Sequence, residues 1–203
     1  VMALADNKSF MKIEARLEGN QVKGHRSTVL YGQEAIEYQT NEKHKQDSLV
    51  SNPKNNVSQK EKLTFTNLKV KKQENDWALI EEEFDFVLQV NRTDNHLYIN
   101  PMLFPQLKSN PFIQTERVLP IEFPYPYKFT MLSTLTLPEG YEVEELPQPQ
   151  AIRSEGDGLQ CKYMIQKQGN TILLNYVFHL KGYIFLSEQY KQLQELWTKV
   201  IEK

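Results

Sequence analysis

Two stretches of strict two-residue alternation, each folding back at a Gly-Asn pair, constrain this chain more than any other feature. In the first, Met11, Ile13, Ala15 and Leu17 alternate with Lys12, Glu14, Arg16 and Glu18, the period of a strand with one dry and one wet face. Gly19-Asn20 then supplies a two-residue turn with glycine first, the type II′ preference, and Gln21 to Tyr31 runs back as the second arm. Pairing Glu18 with Gln21 sets Leu17 opposite Val22 and Glu14 opposite His25, so the two faces agree across the turn. Leu159 to Lys167 and Thr171 to Leu180 repeat the arrangement around Gly169-Asn170.

Between these hairpins, residues 34–39 suit a short helical turn. Residues 41–62 are rich in Asn, Lys, Gln and Ser and read as a long polar connection. Leu63 to Lys72 and Ala78 to Val90 read as a further strand pair. In the latter, Ala78, Ile80, Phe84, Phe86, Leu88 and Val90 share one face, on which Glu82 is the single exception. His96 to Asn100 reads as a short strand. Pro101, Pro105, Pro111, Pro120, Pro124 and Pro126 exclude a central strand or helix interior from the next stretch. Strands are again expected at Tyr127 to Leu137 and Tyr141 to Leu146. Ser187 is placed to cap a terminal helix whose Tyr190, Leu193, Leu196, Trp197, Val200 and Ile201 form one stripe.

Strands outnumber helices and are joined mainly by short turns, which favours antiparallel pairing. The expected fold is mainly β, an antiparallel two-layer β-sandwich-like architecture with the C-terminal helix packed on the sheet. Its expected division is an N-terminal antiparallel β region over 1–111 and a C-terminal β domain over 112–203, the alternative being that the two form one continuous sandwich.

The 24 basic and 26 acidic side chains give a formal charge of −2, without the basic footprint of a nucleic-acid binder. No 18-residue apolar run marks a membrane span. The single cysteine, Cys161, excludes an intrachain disulfide framework and a multi-cysteine zinc site.

Four constellations merit weighing. Thiol catalysis needs a cysteine within reach of a histidine, but pairing Gln168 with Thr171 puts Cys161 opposite Phe178 and His179 opposite Gln160, on the other face. Glu81, Glu83 and Asp85 alternate outward and could attract a hard cation, yet Lys69 and Lys71 stand at cross-strand positions that make a charge ladder. His25, His44 and His96 have no close-spaced second imidazole, and no phosphate- or dinucleotide-binding fingerprint occurs, so no metal and no cofactor is expected. Phe123, Tyr125, Tyr127 and Phe129 interleave with Pro124 and Pro126 and are the candidate contacts for a glycan or peptide ligand, although packing of these rings on the prolines is the preferred account.

Two further stretches carry a family resemblance. Leu-Glu-Gly-Asn-Gln-Val-Lys-Gly at 17–24 and Gly-Gln-Glu-Ala-Ile-Glu-Tyr at 32–38 resemble the strand, turn, strand and Gly-x-x-Ala pattern that follows the catalytic core of bacterial exported transglutaminase-like proteins. Arg-Val-Leu-Pro-Ile-Glu-Phe-Pro-Tyr-Pro-Tyr at 117–127 and Leu-Pro-Glu-Gly-Tyr-Glu-Val-Glu-Glu-Leu-Pro at 137–147 resemble the C-terminal domain of unknown function in the same proteins, as does the segment from Phe185 to Lys203. The resemblance implies a chain lying downstream of a papain-like cysteine hydrolase core. It also implies an exported, periplasmic parent whose signal peptide lies outside these residues. No catalytic position of that core maps onto this sequence. The expected function is therefore a non-catalytic accessory module that supports or orients the catalytic domain of the same polypeptide. A carbohydrate-binding module using Phe123 to Phe129 is the alternative, and a thiol hydrolase using Cys161 a remote one.

Overall fold

Alternating side chains become strands wherever both arms of a turn can bury the same face, and here those strands merge into one large sheet. The computed structural model describes residues 7–40, 57–58, 63–73, 76–107 and 109–201. In chain order the first elements are β1 (Lys8–Glu18), β2 (Gln21–Tyr31), α1 (Gln33–Thr40), β3 (Val57–Ser58), β4 (Leu63–Gln73), β5 (Asp76–Gln89), β6 (Asn91–Thr93) and β7 (His96–Tyr98). There follow β8 (Ile121–Glu122), β9 (Tyr127–Thr136), β10 (Gln150–Arg153), β11 (Leu159–Gln168), β12 (Thr171–Leu180), β13 (Ile184–Phe185) and α2 (Tyr190–Ile201). The polar connection expected over 41–62 lies outside the described residues except for β3.

Nine strands form a single sheet in the order β10-β11-β12-β9-β1-β2-β5-β4-β3, and β8 with β13 and β6 with β7 form two small ribbons. Both Gly-Asn hairpins hold the register that their turns dictate. Leu17 faces Val22, Glu14 faces His25, and Cys161 faces Phe178. Gly19 and Gly169 sit at φ +61° and +57°, the left-handed backbone required of the first central residue of a type II′ turn.

One pairing departs from the antiparallel expectation. β1 lies parallel to β9, from Lys8 opposite Lys128 to Arg16 opposite Thr136. Parallel neighbours need a long crossover, and here everything between β2 and β9 supplies it. Strands from either side of residue 112 thus share one sheet, and their buried side chains form one continuous core.

The sheet is one-sided. Its inner face carries Met11, Ile13, Leu17, Val22, Phe84, Phe86, Phe129, Met131, Leu174, Tyr176, Phe178, Cys161 and Tyr163, all buried. The second layer is built of helix and proline-punctuated chain rather than of a second large sheet. Met102, Leu103 and Phe112 from the crossover are buried with the core, and so are Tyr190, Leu193, Leu196, Trp197 and Val200 of α2. The terminal stripe therefore docks on the sheet, with Trp197 edge-on to Phe178 of β12 at 5.4 Å. Leu186 precedes the helical residues, and its N–H is capped by Gln189 Oε1 at 2.8 Å rather than the start being capped by the Ser187 hydroxyl.

Two local differences from the sequence reading have clear causes. Residues 141–146 form no strand, and β10 at 150–153 takes the sheet edge instead. Pro138, Pro147 and Pro149 bracket that segment and remove ladder donors. In β4, Phe65 is buried and Lys69 is exposed although both are odd-numbered. A bulge between Thr66 and Lys69, with Asn67 at φ +55°, reverses the alternation.

Candidate functional site

The outer face of β4, β5 and β2 carries a charge ladder, to which the bulge in β4 contributes by turning Lys69 and Lys71 outward. Lys69 Nζ lies 3.0 Å from Glu83 and Lys71 Nζ 3.8 Å from Glu81. Asp85 instead accepts a hydrogen bond from Asn67 Nδ2 at 2.6 Å and lies 2.8 Å from His25 Nδ1. The Asn67 bond first, then His25, holds the Asp85 carboxyl below its ordinary range, and Lys69 does the same for Glu83. The three carboxylates thus each have their own partners, four side chains in all. Among the described residues no group of three or more His, Cys, Asp or Glu side chains is placed to hold a metal ion.

Glu82, the one polar position among the described side chains on the dry face of β5, finds its partner in Arg26 of β2. The pair is direct, with the Arg26 side chain 13% and the Glu82 side chain 5% exposed. The other carboxylate oxygen accepts a hydrogen bond from the Tyr38 hydroxyl of α1 at 2.7 Å. Arg26 also lies over the Phe84 ring at 4.3 Å and the Phe104 ring at 5.0 Å, so the cation is flanked by aromatic faces. Burial lowers the Arg26 pKa and the Glu82 charge opposes that shift. Arg26 and Tyr38 carry no sequence motif. The signal that pointed to them was Glu82 itself, since a buried carboxylate requires a partner.

Phe123, Tyr125, Tyr127 and Phe129 do not gather into one exposed platform. Phe129 is fully buried against Tyr176, with ring centroids 5.9 Å apart. Tyr127 leans on Phe178 at 5.6 Å. Phe123 stacks on Trp197 at 5.8 Å and touches the edges of Phe112 and Phe185. The Tyr125 hydroxyl donates to Glu34 Oε1 of α1 at 2.9 Å. Cys161 and His179 lie on opposite faces of the β11–β12 hairpin. Cys161 is buried beside Tyr176, while His179 is opposite Gln160 and Lys128. Burial, then the nearby Lys181 and Lys128, lowers the His179 pKa.

The surface feature that stands out is apolar. The ribbon of β8 and β13 turns Ile121 and Phe185 inward, while Tyr183, Ile184 and Leu186 on one arm stay exposed. Val118 and Leu119, leading into the other arm, are 88% and 72% exposed. Phe123 N–H donates to the Tyr183 carbonyl at 2.7 Å, which extends the pairing by one step and draws the two arms together. Among the described residues no helix is long and apolar enough to cross a membrane.

Sheet, crossover and docked helix define a mainly β module whose exposed features are a charge ladder and an apolar ribbon. Residues 94–203, more than half of the chain, match the family described as a domain of unknown function with solved structure, DUF3858, and the chain belongs to that family. The matched span contains β7 to β13 and α2, and hence the whole apolar ribbon. A crystal structure of a "putative protease" from Parabacteroides distasonis is similar at 21% identity, over 44% of this chain and 17% of that one, with a TM-score of 0.39. This chain accordingly spans under a fifth of that protein's length. No curated protein matches.

Proposed function

We propose that this chain is a non-catalytic accessory module of an exported, periplasmic bacterial transglutaminase-like protein, and that it supports or orients the catalytic domain of the same polypeptide. The apolar ribbon carries the reading. Val118, Leu119, Tyr183, Ile184 and Leu186 are five of the eleven exposed large apolar side chains among the described residues, and all five lie on or next to the one ribbon of β8 and β13; clustered exposed apolar groups of this kind mark protein contacts. The residues of the transglutaminase-associated resemblance, 117–127 and 137–147, fall within the family match and include part of the ribbon. The dispersal of Cys161 and His179 to opposite faces agrees with chemistry residing elsewhere in the polypeptide.

The test is association of this chain with the transglutaminase-like catalytic domain of its own polypeptide, followed by analytical ultracentrifugation. Leu119→Asp and Leu186→Asp should each weaken the complex about tenfold or more, the loss expected when a charge enters an apolar contact. Absence of a complex, or a complex indifferent to both substitutions, would refute the proposal.

A further inference from the structure

Helix α1 is held to the rest of the protein in an unusual way. It is eight residues long, and Ala35 is its one buried residue, so it lacks the apolar face that ordinarily keeps a short helix in place. Polar contacts hold it instead. Tyr38 donates to Glu82 Oε2 at 2.7 Å, joining α1 to the ion pair on the inner face of β5. On the other side Glu34 accepts from Tyr125 at 2.9 Å, with Glu37 beside it, joining α1 to the crossover ahead of β9. At its start, the Gln33 N–H donates to Asn7 Oδ1 at 2.9 Å.

We propose that α1 is a detachable strap that opens as a unit while the sheet beneath it stays folded, with the Tyr38 and Tyr125 hydroxyls as its two latches. Segments with few buried apolar contacts open at lower free energy than the core. By contrast β1 and β2, which the strap follows, bury Met11, Ile13, Leu17 and Val22. Opening withdraws the Tyr38 hydroxyl from Glu82 and frees Tyr125, so it alters the surroundings of the Arg26–Glu82 pair on the dry face. This inference does not depend on the proposed function, since it concerns the inner face and α1 rather than the apolar ribbon.

Native-state hydrogen exchange of the full chain tests it. Tyr125→Phe and Tyr38→Phe each remove one hydroxyl that bonds a carboxylate, so amides of residues 33–40 should exchange about tenfold faster or more. Amides of Ile13, Leu17 and Val22 should keep their wild-type rates. Two results would overturn the strap: unchanged exchange of 33–40 in both variants, or acceleration shared equally by α1 and the β1–β2 hairpin. Tyr125 lies outside the sheet, so its variant decides the matter if Tyr38→Phe lowers global stability.

Discussion

Arg26 and Glu82 meet diagonally across β2 and β5 on the buried face of the sheet, because Thr28 faces Glu82 and Arg26 faces Phe84 in the register of these strands. A one-residue slip of either strand would send one charge to solvent and leave the other buried alone.

Glu82→Ala should therefore destabilise the protein by about 3–5 kcal/mol, since it leaves the Arg26 cation buried without its partner. Replacing both residues together by apolar side chains, Arg26→Met with Glu82→Leu, should cost less than the single change. Urea midpoints of the three proteins check this. A double variant at least as unstable as Glu82→Ala would show that the pair contributes net stability.

Gly24 is required by close approach rather than by a positive φ. A Cβ there would stand 2.4 Å from the Glu14 carbonyl oxygen and 2.8 Å from Ala15 Cα on β1. Because both obstacles are backbone, Gly24→Ala should push the hairpin apart and cost about 1–3 kcal/mol. Thermal unfolding measures the loss, and a Tm equal to wild type would mean that the strands separate without penalty.

Trp197 is 6% exposed and packs against Phe112, Phe123 and Phe178. Trp197→Ala should cost about 3–5 kcal/mol. The denaturant midpoint and the loss of α2 helicity in far-ultraviolet dichroism report it together, and an unchanged midpoint would place the helix off the sheet.

At high pH four buried or half-buried tyrosines should lower stability. Burial pushes Tyr163 up to about 12. Burial first, then neighbouring groups, raises Tyr125, Tyr127 and Tyr176 further. In the unfolded chain each phenol ionises near its ordinary pKa of about 10. The native state thus retains protons that the unfolded state releases, so stability is intact below pH 10 and falls as pH rises beyond it. Phenolate absorbance should show these four hydroxyls titrating late or together with unfolding. Full ionisation near pH 10 in the folded protein would contradict this prediction.

Much of the architecture was legible one segment at a time. The pairing of Leu17 with Val22 and of Cys161 with Phe178 followed from two Gly-Asn turns and a period of two, and the outward alternation of Glu81, Glu83 and Asp85 with lysines across the strand pair marked the charge ladder. The bulge at Asn67 did not follow, because its backbone conformation shows only in the conflict between buried Phe65 and exposed Lys69. Residues 141–146 alternate like a strand, but the flanking prolines deny them a ladder.

The sequence by itself determined the two Gly-Asn hairpins, their turns and which side of each arm faces inward, since side-chain period and turn backbone are properties of neighbouring residues. It also marked Glu82 as the single polar exception on the apolar face of its strand. Only the tertiary structure decided that the partner is Arg26, 56 residues away, and that β1 runs parallel to β9 at the centre of one sheet. It likewise set Tyr125 on Glu34 of α1 rather than in an exposed aromatic row. Such contacts join segments remote in the chain, so no local pattern encodes them, and they form only when closing the intervening loops is offset by the core that the whole sheet shares.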